Sequence, residues 1–428
     1  MNRVINFLPG ILFIILFTIT GLVPNYGALD RIAPQWFYLS IINSLGIIYV
    51  FYSNRFDLNF KTYLKFKPLF LLILFTVWSL ISYFYSINPT ESLVKFFRII
   101  NIPVSLFLLM VFMKEYDLDL VKFTSIIVLC VLCIELYFSY STYFQLTTYT
   151  TYNFSYANLL KGATGNKNIT SASLAIKLPF VFYVLSRYQN ILIKTILSFL
   201  IFITSYLILL LSARAAIISL FSLILLPLIF FCISIIQTKK FYKSPNFVLN
   251  ISPIFIGLIL FQLNFGASNS ASISNRASTI NTDDTSTQQR IRFYKHSFNQ
   301  ILNNPFVGVG SGNWKIASIE YDKKDVQGYT VPYHTHNDFL EIGAELGIIG
   351  LGMYLLVFLF PLLNILKRMK KSFLKEKLIF NADFMILLAG FVFFVDSNLN
   401  FPHARPVNLV PLLIILSFLF IQNTVKND

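Results

Sequence analysis

Histidines and carboxylates gather in one short stretch, His334, His336, Asp338, Glu341 and Glu345, at the edge of an apolar run. The chain is 56% hydrophobic and only 12% charged, so such a cluster at a membrane surface points to chemistry. A neutral imidazole with an ordinary pKa of about 6.5 suits base catalysis near neutral pH, and His336 could take a proton from an attacking hydroxyl. A structural reading stands beside this one: Thr335 could cap the following helix, with Asp338 completing a capping box and His336 merely interfacial. His334, His336 and a carboxylate could also supply three metal ligands, but only if the backbone turns between the histidines. His296 and His403 are too isolated in sequence to strengthen that case, and no metal is assigned.

Two arginines stand out on different grounds. Arg214 sits in Leu211-Ser212-Ala213-Arg214-Ala215-Ala216 between two apolar runs with almost no loop, where a charge must meet an anion, a wet cavity or lipid headgroups. A guanidinium grips phosphate oxygens through two parallel donors at any relevant pH. Arg290 opens the amphipathic stretch Arg290-Ile291-Arg292-Phe293-Tyr294, and Arg292 is a nearby substitute for the same role. Gly308-Val309-Gly310-Ser311-Gly312 lacks the Lys-Ser/Thr ending of a nucleotide loop and reads as a tight turn. Glu135 and Lys177 fall at similar depths on consecutive apolar runs and are expected to form a buried ion pair, though Lys177 and the nearby Arg98 could also extend an anion-binding pocket. Cys130, Cys133 and Cys232 lie inside apolar runs, read as small buried hydrophobes, and receive no function.

The elements that must position these residues are helices in a membrane. Twelve apolar runs over 428 residues, with mean hydropathy +0.68, predict spans near 5–24, 34–52, 68–86, 96–113, 123–144, 171–187, 195–212, 214–236, 247–263, 346–366, 380–398 and 407–422. The expected fold is therefore all-α and polytopic. Residues 1–263 form a membrane domain of nine helices, 264–345 a large outer loop with short amphipathic helices, and 346–428 the last three helices. The first run follows Arg3 without a small-residue cleavage pattern and is expected to remain as an anchor. A net charge of +15 would suggest nucleic acid in a soluble protein. Here Lys and Arg fall mostly in alternate short connections, which sets topology, puts both termini in the cytoplasm and excludes a nucleic-acid groove. Within the large loop, 264–289 is a Ser/Thr/Asn tract expected to form a mobile rim. From Arg290, the spacing of Phe293, Phe298, Ile301 and Leu302 predicts one helix on the membrane surface, stopped at Asn303-Asn304-Pro305.

Four pieces together resemble the O-antigen ligase and polymerase family of bacterial membrane glycosyltransferases. They are Gly165-Asn166-Lys167-Asn168 with Ala172 before a helix, Ser212-Ala213-Arg214 between helices, Arg290 to Gly312 with Pro305-Phe306-Val307-Gly308-Val309-Gly310, and His336-Asn337 with Leu340, Glu345 and Gly347. The resemblance implies a glycan donor linked through diphosphate to undecaprenol and transfer on the periplasmic face of the bacterial inner membrane. It implies an acceptor hydroxyl on lipid A-core or on another glycan or protein, and neither metal, nucleotide nor other cofactor. It maps the diphosphate-holding arginines onto Arg214 and Arg290 and the histidine near the acceptor onto His336. Arg292, His334, Asn337, Lys177 and Asn168 are candidate supporting residues. Polymerisation, protein glycosylation and, more remotely, transport of a lipid-linked glycan are the competing readings. A transporter would place its charges near the midplane on interrupted helices in repeated halves, and no repeat is found.

Overall fold

The structure is a computed structural model that describes residues 2–53, 58–114, 119–238, 245–265, 285–324, 331–373 and 380–424. Among these residues it is built from helices with no strand, and eleven of them are long and apolar enough to cross a membrane, with a shorter apolar helix at Leu8–Leu22. Each of the twelve apolar runs expected from the sequence falls on a helix, and the first of these is the shorter one. They are α1 (Asn2–Thr18), α2 (Ala33–Tyr52), α3 (Lys67–Ile81), α4 (Pro89–Ile99) running into α5 (Asn101–Lys114), and α6 (Leu120–Tyr149). There follow α7 (Lys167–Arg187), α8 (Ile191–Leu211), α9 (Arg214–Thr238) and α10 (Pro245–Phe265). Helices α11 (Thr285–Asn303) and α12 (Trp314–Asp322) belong to the large loop, and α13 (Asp338–Phe373), α14 (Ala382–Leu399) and α15 (Pro406–Thr424) complete the chain.

The bundle is organised around α7, whose side chains from Ile169 to Leu185 are all buried. Small residues Ser171, Ala172, Ser173 and Ala175 let neighbouring backbones approach, which is how helices associate where lipid removes the hydrophobic drive. Lys177 on this helix reaches Glu135 of α6, with Nζ 2.9 and 2.8 Å from the two carboxylate oxygens, so the expected ion pair is present. The three cysteines depart from expectation: Cys130, Cys133 and Cys232 are exposed on the outward faces of their helices. A small apolar thiol is as well accommodated by lipid as by a protein core, so hydropathy alone does not say which way it points.

Two helices of the loop region begin earlier than expected. The amphipathic helix starts at Thr285 and ends at Asn303, as its stop signal predicts. Phe293 of this helix is buried whereas Phe298 and Leu302 are exposed, so the two apolar groups lie on different faces. Most of the Ser/Thr/Asn tract expected as a mobile rim, residues 266–284, lies outside the described residues. Helix α13 starts at Asp338 and is interrupted at Gly347, where φ is 65° and ψ is −172°.

That interruption is made by the glycine-rich segment. Gly308 N–H donates to Asn304, then Val309 N–H donates to the Ala344 carbonyl (3.1 Å) and Gly310 N–H to that of Glu345 (2.9 Å), while Ile348 N–H donates to Pro305 (2.7 Å). A Cβ on Gly347 would overlap the Phe306 carbonyl, and one on Gly308 would overlap the Glu345 carbonyl. The glycines therefore serve close backbone approach as well as turning. The far side of the segment is fixed by Asn313, whose side chain accepts from Asn88 N–H (2.7 Å) and donates to Ser92 Oγ (2.9 Å). This ties the loop to the start of α4 and sets that helix against the beginning of α13.

Candidate functional site

The connections that the charge alternation assigns to one face do meet at one end of the bundle. Residues from the segment before α2, from α4, from Gly312 to Glu345 and from the α14–α15 connection enclose a cavity of about 560 Å³. Its wall carries Arg31, Lys95, Arg98, Lys315 and Arg405 together with Asp30, Glu91, Glu341 and Glu345. A second, much smaller space of about 20 Å³ lies beside it, lined by Asn166, Asn168, His336, Asp396, Asn400, Phe401, Arg405 and Asn408 among others. Arg405 lines both.

His336 has φ 59°, in the left-handed region that a non-glycine residue occupies only when its surroundings impose it. This turn shifts the cap of the following helix. Thr335 donates from Oγ1 to the Asn337 carbonyl (2.6 Å), and Asn337 Oδ1 accepts from Leu340 N–H (3.0 Å). Asn337, not Thr335, is thus the N-cap, and Asp338 takes no part in a capping box; its carboxylate accepts from His403 N–H (3.2 Å) and pairs with His403 Nδ1. The turn is held from outside by Tyr294 of α11, whose hydroxyl lies 3.0 Å from the His336 carbonyl and 3.1 Å from that of Asn398. Asn337 Nδ2 donates to the same Asn398 carbonyl (3.2 Å).

Nδ1 of His336 is buried and has no hydrogen-bond partner among the described residues. Burial, then the positive charges of Arg290 and His334, push its pKa down to about 4, against a smaller opposing pull from Glu341. The ring is therefore neutral at neutral pH and able to accept a proton. An anion arriving beside it would raise that pKa and strengthen it as a base.

Helix α11 brings the two predicted arginines into relation with this histidine. Arg214 starts α9 after a left-handed turn at Ser212 (φ 51°), and its Nη1 donates to Thr287 Oγ1 at 2.8 Å, one helical turn before Arg290. Arg290 acts electrostatically on both His336 and Tyr294. Arg292 faces elsewhere: it pairs with Asp322 at 2.8 Å and fastens α11 to α12. Asn168 lies in the first turn of α7, which Asn166 caps by accepting from Asn168 N–H (2.9 Å), and it lines the His336 space. Lys177 is committed to Glu135 inside the bundle, apart from Arg98, which pairs with Asp30 at 2.5 Å on the cavity wall.

His334 and His336 line different cavities. His334 stacks on Phe401 (centroids 4.1 Å apart, planes 13°) with Nδ1 3.1 Å from each Glu341 oxygen, whereas His336 meets the same ring edge-on at 5.2 Å. Among the described residues, no group of three or more His, Cys, Asp or Glu side chains has an arrangement able to hold a metal ion. Sequence reasoning gave no role to Lys95, Asp396 or Arg405, and set His403 aside as isolated. His403 lies 65 residues from its partner Asp338, a pairing with no local sequence signal.

The fold and site define an all-α, multi-pass integral membrane protein with a polar, cation-rich cavity at one end of its bundle. Residues 199–355 match the family model described as O-antigen ligase. The matched segment contains Arg214, Arg290 and His336. The chain is also 26% identical over 208 residues to a protein of Acinetobacter baylyi named ComP-specific O-oligosaccharyltransferase. That alignment covers 46% of this chain and 34% of the relative.

Proposed function

We propose that the chain transfers a glycan from an undecaprenyl-diphosphate-linked donor to an acceptor hydroxyl on the periplasmic face of the inner membrane, with lipid A-core as the acceptor. The observation that carries this reading is the buried, unpartnered Nδ1 of His336 in the field of Arg290, with Arg214 of α9 bonded to Thr287, one turn from Arg290 on α11. In the proposed step the acceptor oxygen forms a bond to the anomeric carbon while the bond from that carbon to the diphosphate oxygen breaks. The electron pair leaves with the diphosphate, and the hydroxyl proton passes to His336. Arg214 and Arg290 stabilise the charge that grows on the leaving diphosphate, where preorganised donors contribute most. A single displacement opposite the leaving group inverts the anomeric centre, and the step needs neither nucleotide nor metal.

A protein hydroxyl as acceptor is the second reading, favoured by the likeness to an O-oligosaccharyltransferase. The deciding experiment is glycan transfer in a strain lacking its own ligase, comparing wild type with Arg214→Ala and His336→Ala at matched membrane expression. Glycan on lipid A-core in wild type, with unlinked polyprenyl-diphosphate glycan accumulating in both variants, supports ligation and both residue roles. Glycan on protein selects the second reading, and longer lipid-linked chains would mean polymerisation. Full transfer by His336→Ala would remove it as the base.

A further inference from the structure

Three of the cations around the larger cavity are matched one by one, and Arg31, which has no pair among the described residues, is exposed to solvent. Arg98 pairs with Asp30 (2.5 Å), Lys315 with Glu91 (2.7 Å) and Lys95 with Glu341 (3.7 Å), while Glu345 accepts from Trp314 N–H (3.2 Å). Arg405 is left over. Its guanidinium has no hydrogen bond and no ion pair among the described residues, its Nε is buried, and it lies over the Phe401 ring at 4.9 Å. Burial first, and the neighbouring Arg98 charge after the opposing pull of Asp30, bring its pKa down to about 10, so it stays charged at neutral pH. A partly buried arginine that feels Asp30 and Glu341 without a direct ion pair to either is costly, and an anionic ligand lowers that cost.

Its position fits such a ligand. Arg405 stands on the partition between the cavity of about 560 Å³ and the His336 space, which at about 20 Å³ has room for little more than a water. It shares Phe401 with both histidines. We propose that Arg405 is a third anion-binding arginine, which grips the donor's diphosphate from the side of the larger cavity and delivers it to the boundary with His336. This rests on the diphosphate-donor reading given above.

The test uses the full-length protein in phosphatidylcholine nanodiscs and measures binding of undecaprenyl diphosphate, with undecaprenol as the uncharged comparison. Hydrogen bonds to charged groups contribute enough that Arg405→Gln is expected to weaken undecaprenyl diphosphate binding about 10- to 100-fold, with undecaprenol unaffected. Arg405→Lys keeps the charge but loses the two-pronged donor, and an intermediate loss is expected. Lys295→Gln removes an exposed cation of α11 away from both cavities and should bind as wild type does. Unchanged diphosphate binding by folded Arg405→Gln overturns the assignment and leaves the arginine a packing residue on Phe401. If Arg405→Gln fails to fold, Arg405→Lys decides: wild-type affinity overturns the proposal, and weakened affinity with an unchanged melting temperature supports it. A wild type that binds undecaprenyl diphosphate no better than undecaprenol refutes the donor reading itself, a result distinct from failure of Arg405 alone.

Discussion

At the scale of single residues, His336 shows how burial sets a titration. Its folded pKa of about 4 lies below the ordinary value, so between these limits the unfolded chain binds a proton that the native state refuses. Stability is therefore expected to fall as pH drops from about 6.5 toward 4. His336→Gln should show a smaller loss over that window, measured as the difference in melting temperature between wild type and variant. The acid limb of kcat/KM, which reports the free enzyme, should likewise lie below pH 6, and one at pH 6.5 or above would mean that the imidazole is not held neutral. Arg214 and Arg290 are expected to act on turnover: loss of one preorganised donor costs about 100- to 1,000-fold in kcat. Transfer by Arg290→Ala in isolated membranes checks this. His336, Arg214 and Arg290 could be singled out as candidates in the sequence because a charge beside an apolar run is conspicuous. Arg405 was not, because an arginine in a short connection looks like any loop cation until its lack of a direct ion pair is seen.

At the scale of elements, the important feature is the broken start of α13, where Pro305 to Gly310 lies across the chain at Gly347. Gly347→Ala must both hold a left-handed backbone, a cost of about 1–3 kcal/mol, and displace the Phe306 carbonyl. A clear loss of thermal stability in detergent is expected, together with loss of transfer, because the same contact fixes α4 against Glu341 and Glu345. Gly352 makes the control: it lies on the same helix with open space around its Cα, so Gly352→Ala should leave the melting temperature unchanged or raised. The break was hidden in sequence since a single glycine inside an apolar run is tolerated by a straight helix as well. The amphipathic helix was legible from its spacing and stop signal, though its earlier start and its division into a buried and an exposed apolar side were not.

For the whole molecule, the buried pair Glu135–Lys177 joins α6 to the central α7, and both side chains are 3% exposed. Lys177→Met strands a carboxylate in the bundle, and a loss of about 3–5 kcal/mol is expected. The double variant Glu135→Gln with Lys177→Met should recover most of it, as thermal unfolding in detergent would show. Failure of the double variant to recover, or normal folding of Lys177→Met with loss of transfer, would point to a functional lysine.

The sequence by itself determined the class of fold, the approximate limits of the apolar helices, and which connections gather at one end of the bundle. Those depend on local quantities: the length of an apolar run that fits a bilayer, and the placement of Lys and Arg between runs. It also singled out the residues that carry the family resemblance. Only the tertiary structure decided that Asn337 caps the helix while Asp338 turns to His403, that Arg292 binds Asp322 while Arg290 acts on His336, and that Arg405 stands unmatched between two cavities. Each of these depends on the direction of a side chain across a contact made from distant parts of the chain. Periodicity fixes the face of a helix, but a counter-charge 65 residues away is found only once the helices are packed.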